Sequence, residues 1–380
     1  MSYYVLPKIN NCIFFECKYQ KDECPSPYLS HSLKHYLDDL KTQIHKLGLN
    51  ENGEHIFSIE ELSRSINPYE YIFSKVPDTS LSVSKLKPQS NIFYDLLEIF
   101  NTLYLAEQMQ NQNSIYTIHF SHNSNSSIEC LNLIREFNND QHLSLKLEDS
   151  LNGDEHSILN ACKKQSIDFL FFEMEADNYK DINTYTLGMI KMCMHILNYQ
   201  KKGGLCIMKV DEIIHKPIVD IVYFLCSLYD KVILFKPMVN NVIMSEKYII
   251  CKNFNYDINK ELDYVYYREV LSNILIHCEK LLFFSNYSPF FYKSLIKTEI
   301  MYLFKIKLEE YNVILGHYQL NAMNQLIQIF KNKNKEEKIE TVKKVNIQKC
   351  ILWCEKYKIP NNKFDKEREK DKVNIFIMRT

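Results

Sequence analysis

Between residues 115 and 254 short apolar runs alternate with segments of helical periodicity, and this alternation limits the fold more than any other feature of the chain. Ile115–Phe120, Leu143–Leu147, Ile167–Phe172, Gly204–Val210, Lys231–Phe235 and Tyr248–Cys251 read as strands. Ile128–Phe137, Tyr185–Tyr199 and Ile218–Leu228 read as helices between them. Parallel strands need a crossover, usually helical, so repeated strand–helix–strand units predict an α/β fold with a largely parallel sheet and helices on both faces. The run 167–172 is broken only by Asp168, as expected of a strand buried on both faces.

The flanks read differently. Ser30–Leu47 has an amphipathic helical stripe, and a second helix is predicted within 83–108, starting near Ser90 and running through Leu105. From 259 to 345 the pattern is helical, with apolar stripes at Val270–Leu282 and Leu320–Phe330. The expected organisation is an N-terminal extension over 1–80, a central domain over 81–258, a helical C-terminal region over 259–345 and a charged tail over 346–380. A net charge of −1 does not support strong nonspecific nucleic-acid binding, so any RNA contact would come from a local patch. The basic run 331–344 also carries Glu336, Glu337 and Glu340 and reads as a solvated helix. Twelve cysteines include no CxxC pair, so buried reduced thiols are expected and no metal site. The longest apolar stretch, 218–235, contains Asp220 and Asp230 and is too polar for a bilayer span. Residues 1–11 lack the pattern of a signal peptide. The expected setting is soluble, reducing and cytoplasmic.

Three segments carry a resemblance. Gly203-Gly204 opens a strand that ends at Lys209, and Lys236-Pro237 opens a loop that closes with Ser245-Glu246-Lys247-Tyr248 before a last strand. Upstream lies the segment 82–90, Ser-Val-Ser-Lys-Leu-Lys-Pro-Gln-Ser. Together, over roughly 82–254, these resemble the FtsJ-like RNA 2'-O-ribose methyltransferases, in particular the cap-modifying branch of large DNA viruses. The resemblance implies a Rossmann-like methyltransferase sheet and S-adenosylmethionine as cofactor. It also implies a Lys-Asp-Lys-Glu catalytic set, carried here by Lys85, Glu173, Lys209 and Glu246, with glutamate in the aspartate position. A ribose hydroxyl is a poor nucleophile until its proton is removed, and a lysine does this only when its pKa is drawn toward neutrality. For each of these residues the other reading is an inherited or solvated charge: a strand-end ion pair for Glu173, Lys209 and Glu246, a surface lysine for Lys85.

The glycine-rich cofactor loop of that family falls here on Asn123, Ser124, Asn125 and Ser126, and no glycine lies between Gly53 and Gly153. Asn tolerates a left-handed turn, but its side chain crowds a ligand. The Asp-Gly-Gly after the central strand is Glu173-Met174-Glu175, and Asn241 stands where the Lys-Pro loop usually has arginine. Glu148, Asp149 and Asp154 are the acidic residues on hand for the cofactor's adenosine. His119 and His122 read as structural, and Trp353 as core. The losses fall on cofactor and RNA-facing positions, while the sheet-forming segments persist. Three functions follow. The first is a degenerate methyltransferase homologue serving as a structural or stimulatory partner in an RNA-capping, transcription or virion assembly, located in a viral factory or virion. The second is an active S-adenosylmethionine-dependent cap 2'-O-methyltransferase with a divergent loop. The third is an RNA-binding module without chemistry.

Overall fold

The structure is a computed structural model, and it describes residues 3–21, 23–47, 59–77, 79–110, 113–121, 125–136, 139–147, 159, 162–174, 181–255, 261–284, 290–331 and 336–362. In chain order the strands are β1 (Tyr4–Leu6), β2 (Phe15–Lys21), β3 (Tyr116–Phe120), β4 (Gln141–Leu145), β5 (Ile167–Glu173), β6 (Gln200–Val210), β7 (Tyr229–Phe235), β8 (Lys247–Phe254) and β9 (Phe290–Ile296). The helices are α1 (His31–Leu47), α2 (Ile59–Arg64), α3 (Ile92–Thr102), α4 (Leu105–Gln110), α5 (Ser126–Arg135), α6 (Ile182–Tyr199), α7 (Lys216–Leu228), α8 (Glu261–Phe284), α9 (Tyr302–Lys331) and α10 (Glu336–Lys356).

Seven strands form one sheet in the order β1-β7-β8-β6-β5-β3-β4. The block β4, β3, β5 and β6 is parallel, and β8 lies antiparallel between β6 and β7. This is a Rossmann-like α/β sheet carrying N- and C-terminal additions. Helices cover both faces. On one, α3, α5 and α10 pack on Phe169, Phe171, Ile207, Ile233, Phe235 and Tyr248. On the other, α6, α7 and α8 bury the alternate residues Leu170, Phe172, Met208 and Ile249. β5 is buried along its length except at Glu173, as the apolar run predicts.

The Gly203-Gly204 turn has a local cause. Gly203 sits at φ +78, and a Cβ on Gly204 would meet the Gln200 amide nitrogen at 2.1 Å. That Gln200 side chain folds back to donate to the carbonyls of Ile167, Asp168 and Leu205. The turn therefore seats β6 against β5, where the pairing register shifts between Ile167 and Phe169.

The additions are tied to the sheet. β1 pairs with β7 at the edge, and Asn361 bridges to Ser84. Trp353, read as core, is buried against Tyr94 at the end of α10. α10 runs through position 346, and the segment beyond 362 lies outside the described residues.

Two expectations are corrected. The single helix through Leu105 is two: Tyr104 takes a left-handed φ of +52 between α3 and α4. The continuous helical pattern of 259–345 is interrupted by β9, which pairs antiparallel with β2. Shorter shifts place β4 at Gln141–Leu145 and the first turn of α5 at Ser126. No helix among the described residues is long and apolar enough to cross a membrane.

β9 is held onto α7 by one buried carboxylate. Asp220, with no side-chain exposure, accepts from the Leu295 N–H at 2.8 Å and the Ser294 hydroxyl at 3.1 Å and pairs with Lys216. Asp220→Ala strands those donors and is expected to cost about 3 kcal/mol in urea unfolding. A loss below roughly 1 kcal/mol would show that the carboxylate does not hold the small sheet in place.

Candidate active site

Parallel strands deliver their side chains to the crevice at their carboxyl ends, where α/β sheets bind ligands. Here the ends of β3, β5 and β6 and the start of β8 line up in one row on the α3 face. Glu173 and Lys209 are register partners, and so are Lys209 and Tyr248. Ser121, just past β3, donates to Glu173 at 2.6 Å. The Lys209 ammonium stands 3.6 Å from Glu173 and 3.1 Å from Glu246. The structure thus brings together three of the four residues expected from the sequence.

Lys85 is not among them. It is exposed, its backbone N–H donates to Pro360, and its side chain forms no ion pair among the described residues. A further charged side chain beside the row is Asp95 of α3, buried at 2% exposure. Its Oδ2 accepts from the Tyr248 hydroxyl at 2.8 Å and the Asn240 amide at 2.9 Å. Sequence reading missed Asp95, since an acid in an otherwise apolar helix, like its neighbour Glu98 one turn on, carries no motif.

The loop between β7 and β8 is pinned by buried polar groups. Lys236, 1% exposed, donates to the carbonyls of Met244 at 2.8 Å and Glu246 at 2.6 Å. Glu98 of α3 accepts from the N–H groups of Met238 and Val239 and from the Trp353 indole. Asn241, in the position of the usual arginine, donates to Ser63.

The electrostatics divide the lysines. Burial would lower Lys209, but Glu246, Glu173 and Asp95 outweigh it and hold the ammonium above the ordinary lysine value. Burial pushes Lys236 down to about 7, against the pull of Glu246. Burial likewise pushes Asp95 up to about 6, against Asn240, Tyr248 and Lys209. For Glu246 burial is outweighed by Lys209 and Lys236, so its carboxyl lies below the usual range. His119 is lowered to about 3 by burial and by His142, and it bonds Thr117 and Ser127, a structural role.

Of the cofactor-loop residues, Asn123 and Ser124 lie outside the described residues, as do His122, Glu148, Asp149, Asp154 and Glu175. Asn125 and Ser126 begin α5 and are already engaged. The Asn125 N–H donates to the Gln89 side chain at 2.8 Å, and the Ser126 hydroxyl accepts from the Ser90 N–H at 2.7 Å. Gln89 is anchored in turn, its N–H donating to Glu129 at 3.2 Å. The segment 89–90 thus packs beside the start of α5, while no side chain caps the first turn of the helix. These two residues do not fit a free S-adenosylmethionine turn. Among the described residues no three His, Cys, Asp or Glu side chains group to hold a metal.

No family model matches the sequence, and no curated protein matches it. Among solved structures it is similar to a probable spermidine synthase from Corynebacterium glutamicum ATCC 13032, at 11% identity. That match covers 57% of this chain and 80% of the other, with a TM-score of 0.29.

Lys209→Met tests the ion-pair row. Glu246 has a folded value below its ordinary 4.5, so its contribution is present above that value and is lost as pH falls through the lower one. Lys209 is raised above 10.5, so its share is present below that value and is lost only at higher pH. Removing the cation takes the shared ion-pair partner from Glu173 and Glu246. The variant is expected to lose about 2 kcal/mol at pH 7, a figure kept low because Glu246 is a third exposed. The deficit should shrink toward pH 4 as the acids take up protons. A deficit that is the same at both pH values would mean the row is not electrostatically coupled.

Proposed function

We propose that this chain is a degenerate homologue of the FtsJ-like RNA 2'-O-methyltransferases that serves as a structural or stimulatory partner in an RNA-capping, transcription or virion assembly. One observation carries the reading. Position, pKa and access, the three properties a lysine base needs, fall on different lysines. Lys209 has the position but is held as an ammonium. Lys236 has a pKa near neutrality but is buried with its protons on two carbonyls. Lys85 has the access but stands in no ion pair among the described residues. The contacts of Asn125 and Ser126 with the segment 89–90, in place of glycines, support the same reading for S-adenosylmethionine. Partnership is supported by α9, which exposes Tyr302, Leu303, Val313, Ile314 and Tyr318 along one side.

The alternative, an active S-adenosylmethionine-dependent cap 2'-O-methyltransferase, is favoured by one feature: Lys209, Glu173 and Glu246 remain in contact at the strand ends. Calorimetric titration with S-adenosylmethionine and S-adenosylhomocysteine separates the two. The partner reading expects no binding at millimolar ligand to folded protein. It also expects no methyl transfer to capped RNA, and co-purification of the chain with a capping, transcription or virion protein. Micromolar binding, with methyl transfer abolished by Lys209→Ala, would replace it with the enzyme.

A further inference from the structure

The end of the sheet away from the Lys209 row carries two features that cost stability. Lys231 of β7 and Lys252 of β8 are register partners. Their side chains share the α3 face, since Ile233, Phe235, Ile250 and Tyr248 of the same alternation are buried there. Directly opposite residues have Cβ atoms about 5 Å apart, and like charges so placed repel each other. No ion pair relieves the two lysines among the described residues. Asp230 pairs with Lys8, Asp168 pairs with Lys201, and Glu107 of α4 acts on Lys252 without an ion pair. The Lys252 ammonium reaches the Leu103 carbonyl at the end of α3, at 3.5 Å. The next residue, Tyr104, is the second feature. It is left-handed at φ +52, where a helix end usually has glycine or asparagine. It is also 68% exposed, with no ring contact among the described residues. Beside it at the end of α3, the Thr102 hydroxyl meets Tyr357 at 3.5 Å, and Lys356, next to Glu355 in the chain, lies over the Tyr357 ring at 4.9 Å. A strained, exposed aromatic next to uncompensated cations does nothing for the fold, and so it points to a ligand.

We propose that this end of the sheet is a binding surface for single-stranded nucleic acid. One backbone phosphate sits between the Lys231 and Lys252 ammonium groups, and the adjoining base stacks on Tyr104. The phosphate supplies the missing counter-charge, and a ring face accepts any base, so the surface reads no sequence. An acidic protein face would satisfy the lysines but would give the exposed ring no role. With a net charge of −1, the chain confines such binding to a patch of this kind. The surface lies at the amino ends of β5 and β6, opposite the strand-end crevice. It goes beyond the partner reading and does not depend on whether Lys209 acts as a base.

The test is fluorescence anisotropy of a labelled oligouridylate with the full chain across a salt series. The wild-type chain should bind at low salt. Replacing both lysines, Lys231→Gln with Lys252→Gln, should flatten the slope of log affinity against log salt by about 0.7, the share of one phosphate on a single strand. Tyr104→Asn keeps the left-handed turn and removes the ring. It should weaken binding about tenfold at fixed salt and leave the slope unchanged, while Tyr104→Trp should bind as the wild type does. The lysine and asparagine variants should show a Tm no lower than that of the wild type, because each removes a repulsive or strained feature, so their loss of binding is not a loss of fold. Absence of binding by the wild-type chain at low salt overturns the proposal, and so does an unchanged slope in the lysine variant. Wild-type affinity in Tyr104→Asn also overturns it, and leaves a plain anion contact such as an acidic protein face.

Discussion

β8 enters the sheet antiparallel between β6 and β7, and the site depends on that insertion. Both of its edges are paired, with Tyr248 lying opposite Lys209 on one side and Phe235 on the other. To reach this slot the chain must leave the end of β7, turn above the carboxyl ends of β5 and β6, and come back down. The turn delivers Glu246 to Lys209 whatever the residue is used for. The loop that makes it is specified several times over: by Lys236 from within, by Glu98 and Asp95 from α3, and by Gln319 of α9, which donates to the carbonyls of Ile243 and Met244. Buried polar groups of this kind are expensive unless satisfied, so each contact resists loss independently of any chemistry.

The strands between 115 and 254 were legible because burial on both faces leaves near-continuous apolar runs, of which β5 is the plainest. Glu173, Lys209 and Glu246 were legible only through the resemblance of the segments that carry them, since nothing in the apolar pattern distinguishes them from other strand-end charges. Elsewhere the same signal misleads. Leu103 and Leu105 continue the stripe of α3, so nothing in the pattern marks the break at Tyr104. β9 reads as one more apolar turn among helices, and its partner β2 lies some 270 residues away, beyond any local periodicity. Lys85 was placed by a short string that many surfaces carry, and its backbone is held by Pro360 at the far end of the chain. The partners of Asp95, Tyr248 and Asn240, are separated from it by about 150 residues, and only tertiary structure brings them together.

The start of α5 shows how side chains in place of glycine draw neighbouring chain toward them. Glycine there would leave backbone N–H groups open to a ligand. With Asn125 and Ser126 in place, the segment 89–90 supplies the acceptor and the donor that these residues need. Both contacts tie the segment 89–90 to the first residues of α5, whose first turn has no side-chain cap.

The same trade governs the lysines. Lowering a lysine's pKa requires burial without a close carboxylate, and Lys236 has burial in excess of the pull from Glu246. Holding a lysine at a strand end among acids requires the opposite, and Lys209 has that. A proton acceptor in this row would need fewer negative neighbours than Lys209 has, or more solvent access than Lys236 has. Either change would weaken contacts that now seat the loop between β7 and β8. The same set of buried charges thus seats the loop between β7 and β8 and holds Lys209 as an ammonium.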